Sequence, residues 1–143
     1  MTTAEQLTQI FRDNFVAYFR SHVAHVNITG RNFRSDHKLL EGIYTRRQDQ
    51  TDRIGELLRS MDEYMPCDLA EVLDLSHIDT GELSGDADHL LAMVRDDLQH
   101  LLDEYCELIK IAEAEGIEEI GNYAQDQALD LEKSLWMLRA TLG

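Results

Sequence analysis

Five side chains between residues 25 and 56 have the donor atoms and the register of metal ligands. They are His25, His37, Glu41, Asp52 and Glu56, in the pattern His-x11-His-x3-Glu-x10-Asp-x3-Glu. A mixed set of imidazoles and carboxylates suits iron, manganese or zinc better than a thiolate-preferring metal. The pairs His37/Glu41 and Asp52/Glu56 are each four residues apart, which on a helix puts both side chains on one face. Taken singly, such pairs are more often solvated helix faces, and a single His25 is more often a structural histidine at a helix end. It is the complete pattern that turns the reading toward ligation.

The set cannot close on itself within one straight helix. A helix rises about 1.5 Å per residue, so His37 and Asp52 are about 22 Å apart along its axis. Metal bonds to nitrogen or oxygen are only about 2.0–2.2 Å, with zinc as a guide. Either the pairs belong to separate sites, or a second copy of the helix packs antiparallel across a two-fold axis. In the second case His37/Glu41 of one chain meets Asp52/Glu56 of the other, and the self-complementary interface carries two equivalent sites. His25 joins His37 through a short return at Gly30.

Four long helical patterns are available to position these groups. The first runs from about Ala4 to Val26, with Leu7, Phe11, Phe15, Tyr18, His22 and His25 on one face. Asn27 to Gly30 breaks it. The second runs from about Ser35, a plausible N-cap, to Met61. Its stripe is diluted by Arg47 and Thr51, as expected where a face meets another subunit or a polar site. Pro66 ends the region, and Asp68–Leu75 reads as a short helix inside a long crossover. The third long helix spans about Gly85 to Glu115 and the fourth about Ile117 to Leu142, separated by Gly116. Tyr123 and Trp136 are expected in the core. His22 reads equally as support behind His25 or as core, Asp49 is left outside the set, and His77, His89 and His100 show no partner pattern. The prediction is an all-α, ferritin-like four-helix bundle, up-down-down-up, forming one domain over residues 1–143.

The 143 residues carry 13 basic and 28 acidic side chains, a net charge of -15. Residues 1–66 hold nine of each sign, so residues 67–143 carry the whole excess. Such a chain repels a nucleic-acid backbone unless it has a basic arm, and the first eleven residues contain no Lys or Arg. The acidity serves solubility or lines a cation-attracting pore, for which Glu115, Glu118, Glu119, Asp126 and Asp130 are candidates. Cys67 and Cys106 fall in no CxxC or CxxH pair, as in a reducing compartment. No signal peptide and no apolar run near the ~20 residues of a membrane span is visible, so a cytoplasmic protein is expected.

The stretch His25-Val-Asn-Ile-Thr-Gly30-Arg-Asn-Phe33 through His37, then Tyr44, Asp52 and Glu56, resembles the Dps family of mini-ferritins. The segment Glu132-Lys-Ser-Leu-Trp136-Met-Leu-Arg139 is similar to the family's closing helix, so the likeness covers essentially the whole chain. The resemblance implies a hollow spherical homo-dodecamer with ferroxidase sites shared across two-folds. It assigns His25, His37 and Glu41 to one subunit, and Asp52 and Glu56 to its neighbour. It further implies an enzyme that oxidises Fe(II), usually with hydrogen peroxide and otherwise with O2. Fe(III) is stored as mineral, and hydroxyl-radical formation under oxidative stress is suppressed.

The sequence departs from the family pattern at two positions. Val26 stands where Trp is frequent, which removes an aromatic thought to intercept radicals. Glu41 stands where many relatives have Asp, which keeps the charge and adds a methylene. No Glu-x-x-His pair occurs anywhere in the chain, which argues against the usual di-iron centre inside one subunit. Two other readings stay open here: a ferritin-like structural or interaction protein without turnover, and a monomeric bundle with a His/carboxylate metal site. Direct DNA binding is not expected, because Lys/Arg-rich tails are missing.

Overall fold

A computed structural model describes residues 1–143 as five helices and no strand. They are α1 (Thr3–Asn27), α2 (Phe33–Ser60), α3 (Leu69–Leu75), α4 (Ala87–Glu115) and α5 (Glu118–Leu142). The ends follow local chemistry. Thr2 and Glu5 form a capping box at α1, each side chain taking the other's backbone N–H at 3.1 Å. Asp68 caps α3 and Asp86 caps α4, where its Oδ1 accepts from the His89 N–H at 2.9 Å. Gly116 ends α4 in the left-handed region, φ 72°, with the Ile117 N–H returning to the Ala112 carbonyl at 2.9 Å.

Two predicted starts shift. Ser35 is not an N-cap, since α2 begins two residues earlier and the Ser35 hydroxyl instead donates to the Asn32 carbonyl. Gly85 lies outside α4 because Asp86 supplies the cap.

Polar contacts fix the topology. Asn14 meets Arg47 and Thr51 while His25 meets His37, so α1 and α2 run antiparallel. Thr3 meets Glu115 and Arg20 meets Asp97, so α1 and α4 are antiparallel. Gln50 meets Tyr123 and Arg46 meets Ser134, so α2 and α5 are antiparallel as well. The bundle is up-down-down-up, and residues 61–86, with α3, make the long crossover.

The core is aliphatic where the stripes predict it. Leu7, Ile10, Leu40, Ile43, Ile54, Leu58, Leu98 and Leu101 are essentially buried, each worth about 1.5–3 kcal/mol relative to exposure. Arg47 decides the reading of the diluted stripe in favour of a polar site. It is not at a subunit face but fully buried in its own bundle, reaching Asn14 Oδ1 at 3.3 Å and Asp130 Oδ2 at 3.4 Å. The polar positions of that stripe thus satisfy one another inside the subunit. Trp136 is a correction: it is 60% exposed, with Leu129 one face-repeat away at 70%. Tyr123 is buried as expected, its hydroxyl donating to Gln50 Oε1 at 2.6 Å. No helix is long and apolar enough to cross a membrane.

Candidate metal centre

The return between α1 and α2 brings His25 and His37 face to face. Their rings stack at 3.7 Å with 15° between planes. The His25 Nδ1–H donates to the His37 carbonyl, and the His37 Nδ1–H donates to the His25 carbonyl, both at 2.7 Å. A carbonyl only accepts, so each imidazole carries its proton on Nδ1. In the neutral ring Nε2 then keeps a lone pair, the form in which histidine binds a metal. The eleven-residue spacing has this purpose: it sets the last turn of α1 against the second turn of α2, and the two backbones lock the two rings.

Aromatic side chains pack around the pair. Phe33 lies 5.0 Å from the His37 ring and Tyr44 4.9 Å from the His25 ring. Tyr44 also stacks on His22 at 4.0 Å, and the Tyr18 hydroxyl meets His22 Nδ1 at 3.0 Å. The His22 ring lies 6.0 Å from that of His25. Val26 is 62% exposed beside the pair.

Glu41 lies one turn beyond His37 and is half-buried. Lys38 Nζ bonds its carboxylate at 2.8 Å. That ammonium holds the carboxyl below its ordinary pKa, and the two imidazoles add a smaller pull in the same direction. Lys38 is a partner that ligand spacing alone did not reveal, although its place three residues before Glu41 is a recognisable helix ion-pair register.

Asp52 and Glu56 are exposed, one turn apart on α2. The hydrogen bond to Asp52 and the charge of Asp52 push the Glu56 carboxyl above its ordinary pKa. Two carboxylates in this relation attract a cation, because the ion removes their mutual repulsion. They line an open polar groove with Gln48, Arg53 and Asp126. Because α2 is continuous from Phe33 to Ser60, the separation of about 22 Å from His37 stands. One chain thus brings His25 and His37 together, leaves Glu41 one turn on and paired with Lys38, keeps Asp52 and Glu56 apart from them, and does not unite the five candidates.

Two of the acidic residues considered for a pore have internal partners. Asp130 pairs with Arg46 and Arg47, both at 3.4 Å, and Glu115 accepts from Thr3. A cluster that sequence reasoning missed lies inside the subunit: Asp13, His77, His100 and Glu104. The one available signal was the four-residue spacing of His100 and Glu104, while His77 comes from the crossover, where no helical period marks it.

Comparison with protein families matches residues 4–143 to the ferritin-like domain. The chain is 32% identical over 144 residues to the DNA protection during starvation protein of Helicobacter pylori, covering 100% of both chains. Among solved structures it superposes on Helicobacter cinaedi CAIP with a TM-score of 0.92 and 29% identity, over 99% of this chain and 100% of that one. It also superposes on a Dps protein from Vibrio cholerae, described as a member of a broad superfamily of ferritin-like diiron-carboxylate proteins. That match has a TM-score of 0.93 and 25% identity over 99% of this chain and 89% of the other. The chain belongs to the ferritin-like family, and within it to the Dps proteins.

Proposed function

We propose that this chain, acting as one ferritin-like domain over residues 1–143, is the subunit of a hollow homo-oligomeric shell, a dodecamer, that oxidises Fe(II) and stores Fe(III) as mineral. The oxidation takes place at sites shared by two-fold-related subunits. His25, His37 and Glu41 of one chain and Asp52 and Glu56 of the next supply the donors. The observation that carries the reading is the reciprocal locking of His25 and His37, which fixes the tautomer of both neutral rings and leaves both Nε2 atoms without a hydrogen-bond partner. Nothing else in the subunit uses those lone pairs. The like-charged Asp52/Glu56 pair is the complementary half, since it is stabilised by a bound cation.

Iron is the substrate. Two Fe(II) ions give one electron each to hydrogen peroxide, with O2 as a slower alternative. With water, the products are two FeO(OH) units and four protons. Because both electrons go to one peroxide, no hydroxyl radical is released. The carboxylates favour the more highly charged product, and neutral imidazoles hold Fe(II) before oxidation. The net charge of -15 per chain attracts Fe(II) and repels DNA, so the protection offered is chemical, by removal of iron and peroxide in the cytoplasm, without direct DNA binding.

The test is Fe(II) oxidation by the purified protein under air and under anaerobic peroxide, with light scattering for mass. Oxidation above the protein-free rate, lost in both His37→Ala and Asp52→Ala although the two residues lie far apart in one chain, supports the shared site. A mass of about one chain, or oxidation indifferent to either substitution, overturns it.

A further inference from the structure

Asp13 on α1, His77 in the crossover, and His100 and Glu104 on α4 converge so that one donor atom from each lies within 4.8 Å of the others. His100 Nε2 is 3.4 Å from Asp13 Oδ2 and 3.5 Å from Glu104 Oε1. His77 Nδ1 is 3.8 Å from Asp13 Oδ2 and 3.8 Å from Glu104 Oε2. A tetrahedron with metal bonds of about 2.0–2.1 Å has edges of about 3.3–3.4 Å. With one donor atom from each residue, none more than 4.8 Å from another, the four side chains stand on a looser version of such a shell, and inward movement of the side chains closes it.

The surroundings are built for holding these donors. Asp13 is fully buried, and its Oδ1 accepts from the Ser76 hydroxyl at 2.7 Å and the His77 N–H at 2.6 Å. Those bonds orient the carboxylate and turn Oδ2 toward the two imidazoles, the role that outer hydrogen bonds play around metal ligands. Glu104 is 9% exposed, and its Oε1 is buried without any hydrogen-bond partner. A buried carboxylate oxygen left in this state is costly unless something positive meets it. Two imidazoles, perpendicular at 5.8 Å, face it, and no Lys or Arg pairs with either carboxylate. His77 is more than half exposed, which leaves an entry path from solvent.

We propose that Asp13, His77, His100 and Glu104 form a second divalent-cation site, contained in one subunit, that takes a four-coordinate ion of the zinc class and ties the crossover to the bundle. Two neutral imidazoles and two carboxylates suit zinc or cobalt at four-coordination, whereas calcium and magnesium require more oxygen ligands. The site shares no residue with the proposed Fe(II)-oxidising centre, and its ligands come from one chain, so it does not depend on assembly. Binding requires both carboxylates in their deprotonated form.

The experiment is zinc anomalous scattering from crystals of the chelator-stripped protein soaked in a zinc salt, for the wild type, His77→Ala and His37→Ala. An anomalous peak among Asp13, His77, His100 and Glu104 is expected in wild type and in His37→Ala, and not in His77→Ala. A wild-type map without that peak, or a peak of unchanged height in His77→Ala, overturns the proposal. Any peak at His25 and His37 is scored separately, so the two sites stand or fall independently. In solution, Co(II) added to stripped His37→Ala protein is expected to give the intense visible bands of four-coordinate cobalt. Adding Glu104→Gln removes them if the site exists, and their full retention counts against it.

Discussion

Replacing Glu104 by Gln is expected to make the metal-free protein more stable at neutral pH. Burial, and then the adjoining Asp13 carboxylate, push the Glu104 carboxyl up to about 10 from 4.5. Burial also pushes Asp13 upward. The hydrogen bonds Asp13 receives from Glu104, Ser76, His77 and Gln9 outweigh that and leave it below its ordinary value. The shared proton therefore resides on Glu104. Folding raises the pKa of this group, so the folded chain holds a proton that the unfolded chain has lost. Its contribution is fully present below pH 4.5 and is lost progressively as pH rises toward 10. At pH 7 the cost of taking up that proton is about 3 kcal/mol, at about 1.4 kcal/mol per unit above the unfolded value. This figure requires only that the folded pKa lie above the assay pH. Glutamine has nearly the same volume, can donate to Asp13 as the protonated acid does, and has no proton to take up. His77 and His100 also face the group, and Asp103 lies nearby. Thermal melts of wild type and Glu104→Gln in chelator, from pH 5 to 9, measure the effect. The variant's advantage is expected to be small at pH 5 and to grow to several degrees at pH 7 and beyond. A variant less stable than wild type throughout, or a difference that does not change with pH, refutes the assignment of the proton and with it the description of the pair.

Other outcomes follow from individual contacts. Lys38→Ala removes the ammonium that occupies Glu41; tighter Fe(II) or Zn(II) binding at the His25/His37 centre is expected in calorimetric titration, with an unchanged melting temperature. Arg47→Ala leaves a cavity and orphans Asn14 Oδ1 in the core, for a loss of about 3 kcal/mol in denaturant titration. Asp52→Ala is expected to lower the rate of Fe(II) oxidation at limiting iron by about tenfold or more, without changing the mass found by light scattering. Trp136 is exposed in the single chain together with Leu129, and apolar area of this kind marks an interface; its fluorescence is expected to shift to shorter wavelength on assembly, and emission equal in assembled and dissociated protein argues against α5 facing another subunit there.

What was legible in the sequence was what obeys a helical period. The aliphatic stripes and the glycine stop at Gly116 depend on neighbours within a turn, so the long helices could be placed to within about two residues, although the caps at Asp68 and Asp86 were not read. His25 and His37 were legible as a pair because the loop between them is short. Their interlock was not, because each ring is held by the other's backbone carbonyl, which has no sequence signature. Arg47 was left undecided between a subunit face and a polar site, since a cation in a stripe has two solutions, a polar interface or a satisfied interior. Only the positions of Asn14 on α1 and Asp130 on α5 decide between them. Trp136 was misread for a related reason: it adjoins the buried Leu135, and size and apolarity do not say on which side of a helix edge a ring falls.

The Asp13 cluster extends the same principle to function. Its ligands come from two helices and a connection with no period of its own, so no spacing rule links them. A metal site on consecutive turns announces itself, whereas one assembled by tertiary packing does so only through its electrostatics. A fully buried carboxylate beside a second one, with an oxygen that nothing satisfies and two imidazoles turned toward it, is such a signal. The bundle gains no stability from two adjacent buried acids as they stand. A cation that completes them offsets that cost, and the crossover that supplies His77, itself fastened to Asp13 through Ser76 and the His77 N–H, is then the element that ion would order.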